Sequence, residues 1–236
     1  MNNSDTEISI NDLHHYWIKK PVIVIHCGAH LAEELEEYER AGWEEVVWIE
    51  ANPNLISGLA ERVKGHPKSK VVSATLWSTS GKRLSLKVAN NSYSSSILDF
   101  GTHAKTYPNI TFESEIEVHT QTLDSLLLDR EDIQEALLVL DLQGAELEAL
   151  KGAQNSLSKF DFIYTEVSES NLYQDQGNWK AISEFLKTFG MTLVDWQYST
   201  DLNWGNALYQ KQPGFIQSRR IRKRRKSEHE HRLTAI

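Results

Sequence analysis

Pro21-Val-Ile-Val-Ile-His-Cys-Gly28-Ala-His-Leu-Ala32, followed by Val46-Val-Trp-Ile-Glu50-Ala-Asn-Pro53, decides the fold. Val22 to Ile25 is a short β-branched run, the pattern of a strand buried on both faces of a parallel sheet. Gly28 and Ala29 make a small-residue turn. From Leu31 to Ala41 the pattern becomes helical, with Leu31, Leu35 and Tyr38 on one stripe and acids on the other, and Gly42 supplies a stop. A second apolar run, Val46 to Ile49, ends on Glu50. Strand, turn, helix, strand and acid in that order predict the first half of a nucleotide-binding α/β sheet. Glu50 falls 22 positions after Gly28, where a carboxylate can accept hydrogen bonds from both hydroxyls of a ribose. The turn is not a G-x-G-x-x-G dinucleotide loop, because His30 and Ala32 stand where further glycines are needed. A ribose-bearing cofactor therefore fits better than a pyrophosphate.

The rest of the chain continues the alternation. Pro53 opens a helix with Leu55, Ile56, Leu59 and Val63 as its apolar stripe. Lys70 to Leu76 reads as a third strand, Leu84 to Val88 as an extra alternating strand, and Ile116 to Thr120 alternates again. Ala136 to Leu140 is five apolar residues ending on Asp141, a buried central strand. Ala145 to Lys151 and Trp179 to Phe189 read as helices, and Phe160 to Val167 and Met191 to Trp196 as strands. Asn206 to Gln210 is a last strand, with no helix between it and its predecessor. A connection that short joins antiparallel neighbours, so the last strand is expected to run against the others. No internal repeat is visible, and sustained alternation predicts one three-layer α/β domain over 21–213. Residues 1–20 form an extension with a short helix over Ile10 to Ile18, capped by Ser9 or Asn11. Residues 214–236 form a tail.

Charge is divided unevenly. The chain carries −8 overall, but residues 217–236 hold 8 Lys/Arg against 2 Asp/Glu, leaving the body strongly acidic. The basic tail is expected to be disordered. It is either a solvated appendage or a contact for nucleic acid or an anionic surface. One cysteine, Cys27, excludes a disulfide framework within the chain and fits a reducing compartment. No signal peptide pattern or apolar run near ~20 residues is seen, so a cytoplasmic location is expected. No metal-ligand spacing appears among the nine histidines, and a metal-free site is expected.

In open α/β sheets a ligand lies outside the carboxyl ends of the strands. The polar residues gathered there are His26 and the Gly28 turn, Glu50, the Thr75–Trp77 stretch, Asp141 and Glu166. At this point the chain resembles the FkbM-type S-adenosylmethionine-dependent methyltransferases. Leu140-Asp-Leu-Gln-Gly-Ala-Glu-Leu-Glu-Ala-Leu-Lys-Gly-Ala153 carries the resemblance, with Thr122-Leu-Asp-Ser-Leu126 upstream and Ile163-Tyr-Thr-Glu-Val167 downstream. Ile49 to Pro53 and Trp204-Gly-Asn-Ala-Leu-Tyr209 fit as well.

The resemblance implies a class I methyltransferase fold, Rossmann-like, with a seven-stranded, mostly parallel sheet and an antiparallel last strand. It implies S-adenosyl-L-methionine as cofactor. Gly28, Ala29 and His30, with His26 beside them, would cradle its methionine part; Glu50 and Ala51 would hold the ribose. Leu76 and Trp77 would flank the adenine, and Asp141 would face the methyl-transfer centre. The chain departs from many members at His26, His30 and Ala32. An O-methyltransferase acting on a sugar, glycan or secondary metabolite is the implied function. Asp141 and Glu166 are the candidate bases, with His103 behind them. Ser95, Ser96, His103, Glu166 and Trp204 are candidate substrate contacts. Two alternatives stand beside this: a methyltransferase-fold binding protein without turnover, and a nucleic-acid methyltransferase using the basic tail.

Overall fold

The computed structural model describes residues 6–19, 23–131, 133 and 136–212. The expected tail over 214–236 and the domain boundary near residue 21 lie outside the described residues. Among the described residues, no helix is long and apolar enough to cross a membrane.

Among the described residues, ten strands form two sheets. The main sheet holds β1 (Ile23–Cys27), β2 (Glu45–Glu50), β3 (Ser69–Ser73), β7 (Ala136–Leu140), β8 (Phe160–Ser168), β9 (Met191–Ser199) and β10 (Trp204–Lys211). Its order is β3-β2-β1-β7-β8-β10-β9. Pairing is parallel except for β10, which runs against both β8 and β9 as the short connection requires. This seven-stranded sheet with one reversed strand is the class I methyltransferase fold. The chain steps outward from β1 to β3 and then returns to lay β7 beside β1. The switch in strand order thus falls between β1 and β7, and it opens a crevice at their carboxyl ends.

Side-chain alternation along the buried strands divides the core in two. On one face, Ile23, Ile25, Cys27, Leu138 and Leu140 meet α6 (Glu146–Lys151) and α7 (Trp179–Thr188) through Ala149, Leu150, Ile182 and Leu186. On the other, Val24, Val46, Trp48, Leu137 and Val139 meet α2 (Leu35–Ala41) and α3 (Pro53–Val63) through Leu35, Tyr38, Leu59 and Val63. The same second layer takes in Ile8, Ile10, Leu13, Trp17 and Ile18. The leading helix is shorter than its apolar pattern suggests. Only Ile10–Asp12 (α1) is α-helical, capped by the Ser9 side chain, and Leu13–Trp17 widens into a π-helical turn.

The expected third strand is two. Ala74 leaves the β2 ladder after donating its N–H to the Glu50 carbonyl, and Thr75–Leu76 (β4) joins a second sheet. There β4 pairs with β6 (Phe112–Gln121), which also pairs antiparallel with β5 (Arg83–Ala89). Between β5 and β6 the chain makes a 3₁₀ turn at Ser92–Ser94 and α4 (His103–Thr106). This insertion hangs over the crevice. It supplies one wall of the site.

Candidate active site

The ends of β1 and β7 are tied together at the crevice floor. Asp141 donates its backbone N–H to the Cys27 carbonyl at 3.0 Å, and Gly28 follows with φ +85°. A Cβ at position 28 would lie 1.7 Å from the Asp141 carbonyl oxygen, so only glycine fits. The next strand end is Glu50, buried at the end of β2. Its Oε1 accepts the Asn52 N–H at 2.7 Å, and its Oε2 accepts the His30 N–H at 2.9 Å. Burial raises the Glu50 carboxyl from its ordinary range, and those backbone donors oppose the rise. Glu50 lines the cleft beside these donors.

One cleft runs from Glu50 to Asp141. Gly28, His30, Ala51 and Asn52 line it beside Glu50; Ala74, Leu76 and Leu86 give it an apolar stretch. Asp141, Gln143 and Ala145 close the far end, and Ser92, Tyr93, Ser95 and Ser96 come in from the insertion. His30 holds that insertion down. Its Nδ1–H donates to Glu33 Oε1 at 2.7 Å, and its Nε2 lies 2.8 Å from Ser92 Oγ. Tyr93 stacks on the His30 ring with centroids 4.1 Å apart and donates its hydroxyl to Glu33 Oε1 at 3.2 Å. The bond to Glu33 holds the His30 pKa above its ordinary value despite burial.

At the Asp141 end the carboxylates crowd. Asp141 is exposed to the cleft; desolvation by the surrounding groups raises its carboxyl, and the Gln143 hydrogen bond opposes the rise. Glu166 is pushed well above the carboxylate range, first by burial and then by the charges of Asp141 and Glu146. Glu146, pushed up to about 7 by burial, accepts the Leu142 N–H at 2.8 Å and the Gly144 N–H at 3.2 Å. It folds the turn that presents Gln143. Gln143 itself has φ +51° and donates Nε2–H to Asp141 Oδ1 at 2.6 Å.

Not every expected residue reaches this cleft. Gly28, His30, Glu50, Ala51, Leu76, Ser95, Ser96 and Asp141 line it together. His26 does not. Its ring is buried in the layer beneath α2, with Nδ1 3.1 Å from the Tyr38 hydroxyl and its centroid 5.0 Å from Trp48. Ala29 packs into that same layer. Trp77 follows Leu76 in extended chain and so points the other way, under the Lys82 ammonium. His103 is buried behind the wall, stacked on Phe100 at 4.3 Å and near Tyr173 at 5.4 Å. Trp204 donates its indole N–H to the Tyr107 hydroxyl at 3.1 Å, also outside the cleft lining. Glu166 touches the site through Gln143, 3.4 Å from Nε2. Gln143 and Asn52 are among the lining residues that strand-end reasoning passed over, as are Leu55, Leu86 and Ile97. Gln143 sits two residues beyond Asp141, still on the rim where ligands bind, and that position was the available signal.

Fold and cleft together define a class I methyltransferase. A model of the FkbM methyltransferase domain matches residues 26–193, and the chain belongs to that family. S-adenosylmethionine is its cofactor, and the Glu50 carboxylate beside an apolar stretch fits an adenosine. The chain is 31% identical over 134 residues to the 2-O-methyltransferase NoeI of Sinorhizobium fredii. That alignment takes in 57% of this chain and 49% of the relative, so it spans about half the relative's length. Similar solved structures include magnesium protoporphyrin IX methyltransferase from Synechocystis, at TM-score 0.48 and 8% identity. The match covers 86% of this chain and 78% of that one. TrmK of M. capricolum matches at TM-score 0.47 and 7% identity, covering 88% and 69% of the two chains.

Proposed function

We propose that this methyltransferase transfers the methyl group to a hydroxyl oxygen of a sugar, glycan or hydroxylated secondary metabolite, with Asp141 as the proton acceptor. One observation carries the reading: the Glu50 and Asp141 carboxylates stand at the two ends of a single cleft walled by the serine-rich insertion. The name of the relative NoeI supports oxygen as the acceptor atom.

S-adenosylmethionine supplies an electrophilic methyl carbon on a sulfonium that needs no further activation. The chain's own work is therefore binding, alignment and proton removal. Glu50 would hold the ribose hydroxyls, Leu76 and Leu86 would flank the base, and the Gly28–His30 turn would hold the methionine part. Alignment of the acceptor oxygen contributes most of the acceleration. Asp141 takes the hydroxyl proton as the oxygen attacks, an effect typically worth 10²–10⁴-fold. Burial, and after it the charges of Asp141 and Glu146, raise the Glu166 carboxyl and disfavour a second negative charge beside Asp141. His30 and Tyr93 stack against each other in the cleft lining.

The test is transfer of tritiated methyl from S-adenosylmethionine to a panel of mono- and oligosaccharides and polyhydroxylated metabolites. Label is expected on a hydroxyl of one acceptor, and Asp141→Asn is expected to lower turnover about 100-fold or more. Cofactor binding without transfer to any of these would replace the reading with a binding protein. Label on RNA instead would return the assignment to the basic tail.

A further inference from the structure

Three loops meet on one side chain that the reaction as described leaves without a role. Gln143 Nε2 donates to Asp141 Oδ1 at 2.6 Å and lies 3.4 Å from Glu166 Oε2. Its Oε1 accepts the Tyr173 hydroxyl at 2.6 Å, and its backbone carbonyl accepts the Ser96 hydroxyl at 2.7 Å. The backbone at Gln143 is left-handed at φ +51°, a conformation costing a non-glycine residue of order 1 kcal/mol or more. The surroundings impose that conformation. Leu142 and Gly144, the residues on either side, both donate their N–H to Glu146.

An amide has a donating end and an accepting end. With the Tyr173 phenol donating to its oxygen, the Gln143 nitrogen must face the two carboxylates. One N–H is then available to each. We infer that Gln143 is a positioning residue for methyl transfer: its amide, oriented by Tyr173, holds the Asp141 carboxylate toward the cleft and keeps it charged beside Glu166. This rests on the reading of Asp141 as the proton acceptor. A hydrogen bond to the ionised form stabilises that form, so Gln143 acts against the desolvation around it. The bond from Ser96 to the Gln143 carbonyl ties this geometry to the insertion.

The other charged groups acting on the pair are His26, His30 and Glu34 around Asp141, with Glu146 and Glu7 around Glu166. None of them occupies the Gln143 position between the two carboxylates. Replacing Gln143 removes the amide and leaves the rest.

The test needs no acceptor. Carboxyl carbons of ¹³C-labelled Asp and Glu are titrated by NMR in the full chain, with Asp141 and Glu166 assigned from Asp141→Asn and Glu166→Gln. In Gln143→Leu the apparent pKa of Asp141 is expected to rise by about one unit, equivalent to a tenfold weaker hold on the charged form. Tyr173→Phe removes one hydroxyl and is expected to move Asp141 the same way by a smaller amount. It is also the variant that keeps the test open should Gln143→Leu fail to fold. An Asp141 titration unchanged in every variant that folds would overturn the proposal. Failure of the base reading shows differently. Asp141→Asn would then keep full methyl transfer, whatever the titration of the wild-type carboxyl does.

Discussion

Both oxygens of Glu50 already accept a backbone N–H, so this residue shapes the cleft as well as offering it a charge. Glu50→Ala is expected to weaken S-adenosylhomocysteine binding by ~10–100-fold in calorimetry, from losing charge-assisted bonds of ~1.5–3 kcal/mol. Unchanged affinity would remove Glu50 from the ribose site. Glu146 separates geometry from charge. Glu146→Gln keeps an oxygen for the Leu142 and Gly144 N–H groups and removes a charge near Asp141, so its stability at pH 8 should match or exceed wild type. Glu146→Ala leaves both donors unpartnered and should cost ~1–3 kcal/mol in chemical denaturation. Equal losses in the two variants would show that the bonds carry little. His26 gives a pH signature. Burial lowers its pKa from 6.5 to about 4, so between those values the unfolded chain binds a proton that the native chain refuses. Its contribution is present above pH 6.5 and is lost as pH falls toward 4, roughly 3 kcal/mol in all. Glu146 and Glu34, pushed up to about 7 by burial, act with the opposite sign in an overlapping range. The measurement is therefore the difference between wild type and His26→Leu across pH 4 to 7, which should grow with pH. A difference that is flat with pH would deny His26 this role.

At the scale of elements, two left-handed glycines contrast. Gly28 joins β1 to the turn through His30 and has the Asp141 carbonyl where a Cβ would go; Gly42 ends α2 with nothing within 4 Å of that place. Gly42→Ala should cost ~1–2 kcal/mol, the backbone strain alone. Gly28→Ala must also part the ends of β1 and β7, and is expected to abolish S-adenosylhomocysteine binding and lower Tm by well over 10 °C. Tolerance of Gly28→Ala would show that the β1–β7 junction gives more easily than its packing indicates. Legibility was uneven at this scale. The buried parallel strands could be read directly, because a residue buried on both faces must be apolar whatever its neighbours. The break at Ala74 could not, since both halves of the run from Lys70 to Leu76 are apolar enough for a strand. Only pairing partners divide them between two sheets. Leu76 and Trp77 failed to act together for a related reason: consecutive residues of an extended chain face opposite ways.

Across the whole molecule, the leading segment is built into the sheet layer. Tyr164 on β8 donates its hydroxyl to the Ile8 carbonyl at 3.2 Å and accepts the Ile8 N–H at 2.9 Å, while Asn206 on β10 donates to the Thr6 carbonyl. Ile10, Leu13 and Trp17 bury themselves beside it. Tyr164→Phe should lower stability by ~1–3 kcal/mol in denaturant titration, because the Ile8 N–H stays buried without a partner. A loss near zero would mean that the segment is held by its apolar residues alone. From the chain alone, hydrophobic periodicity determined the α/β alternation, the reversed last strand and the acids at strand ends, because those depend on local pattern and connection length. The tertiary structure decided which polar residues share a space. Strand order set β1 against β7 and so joined Glu50 to Asp141, while His26, one residue short of the strand end, was packed against Tyr38 and Trp48 beneath the helix layer. Tyr173 reaches Gln143 across 30 positions of sequence, a contact made by packing, of which no local pattern carries a trace.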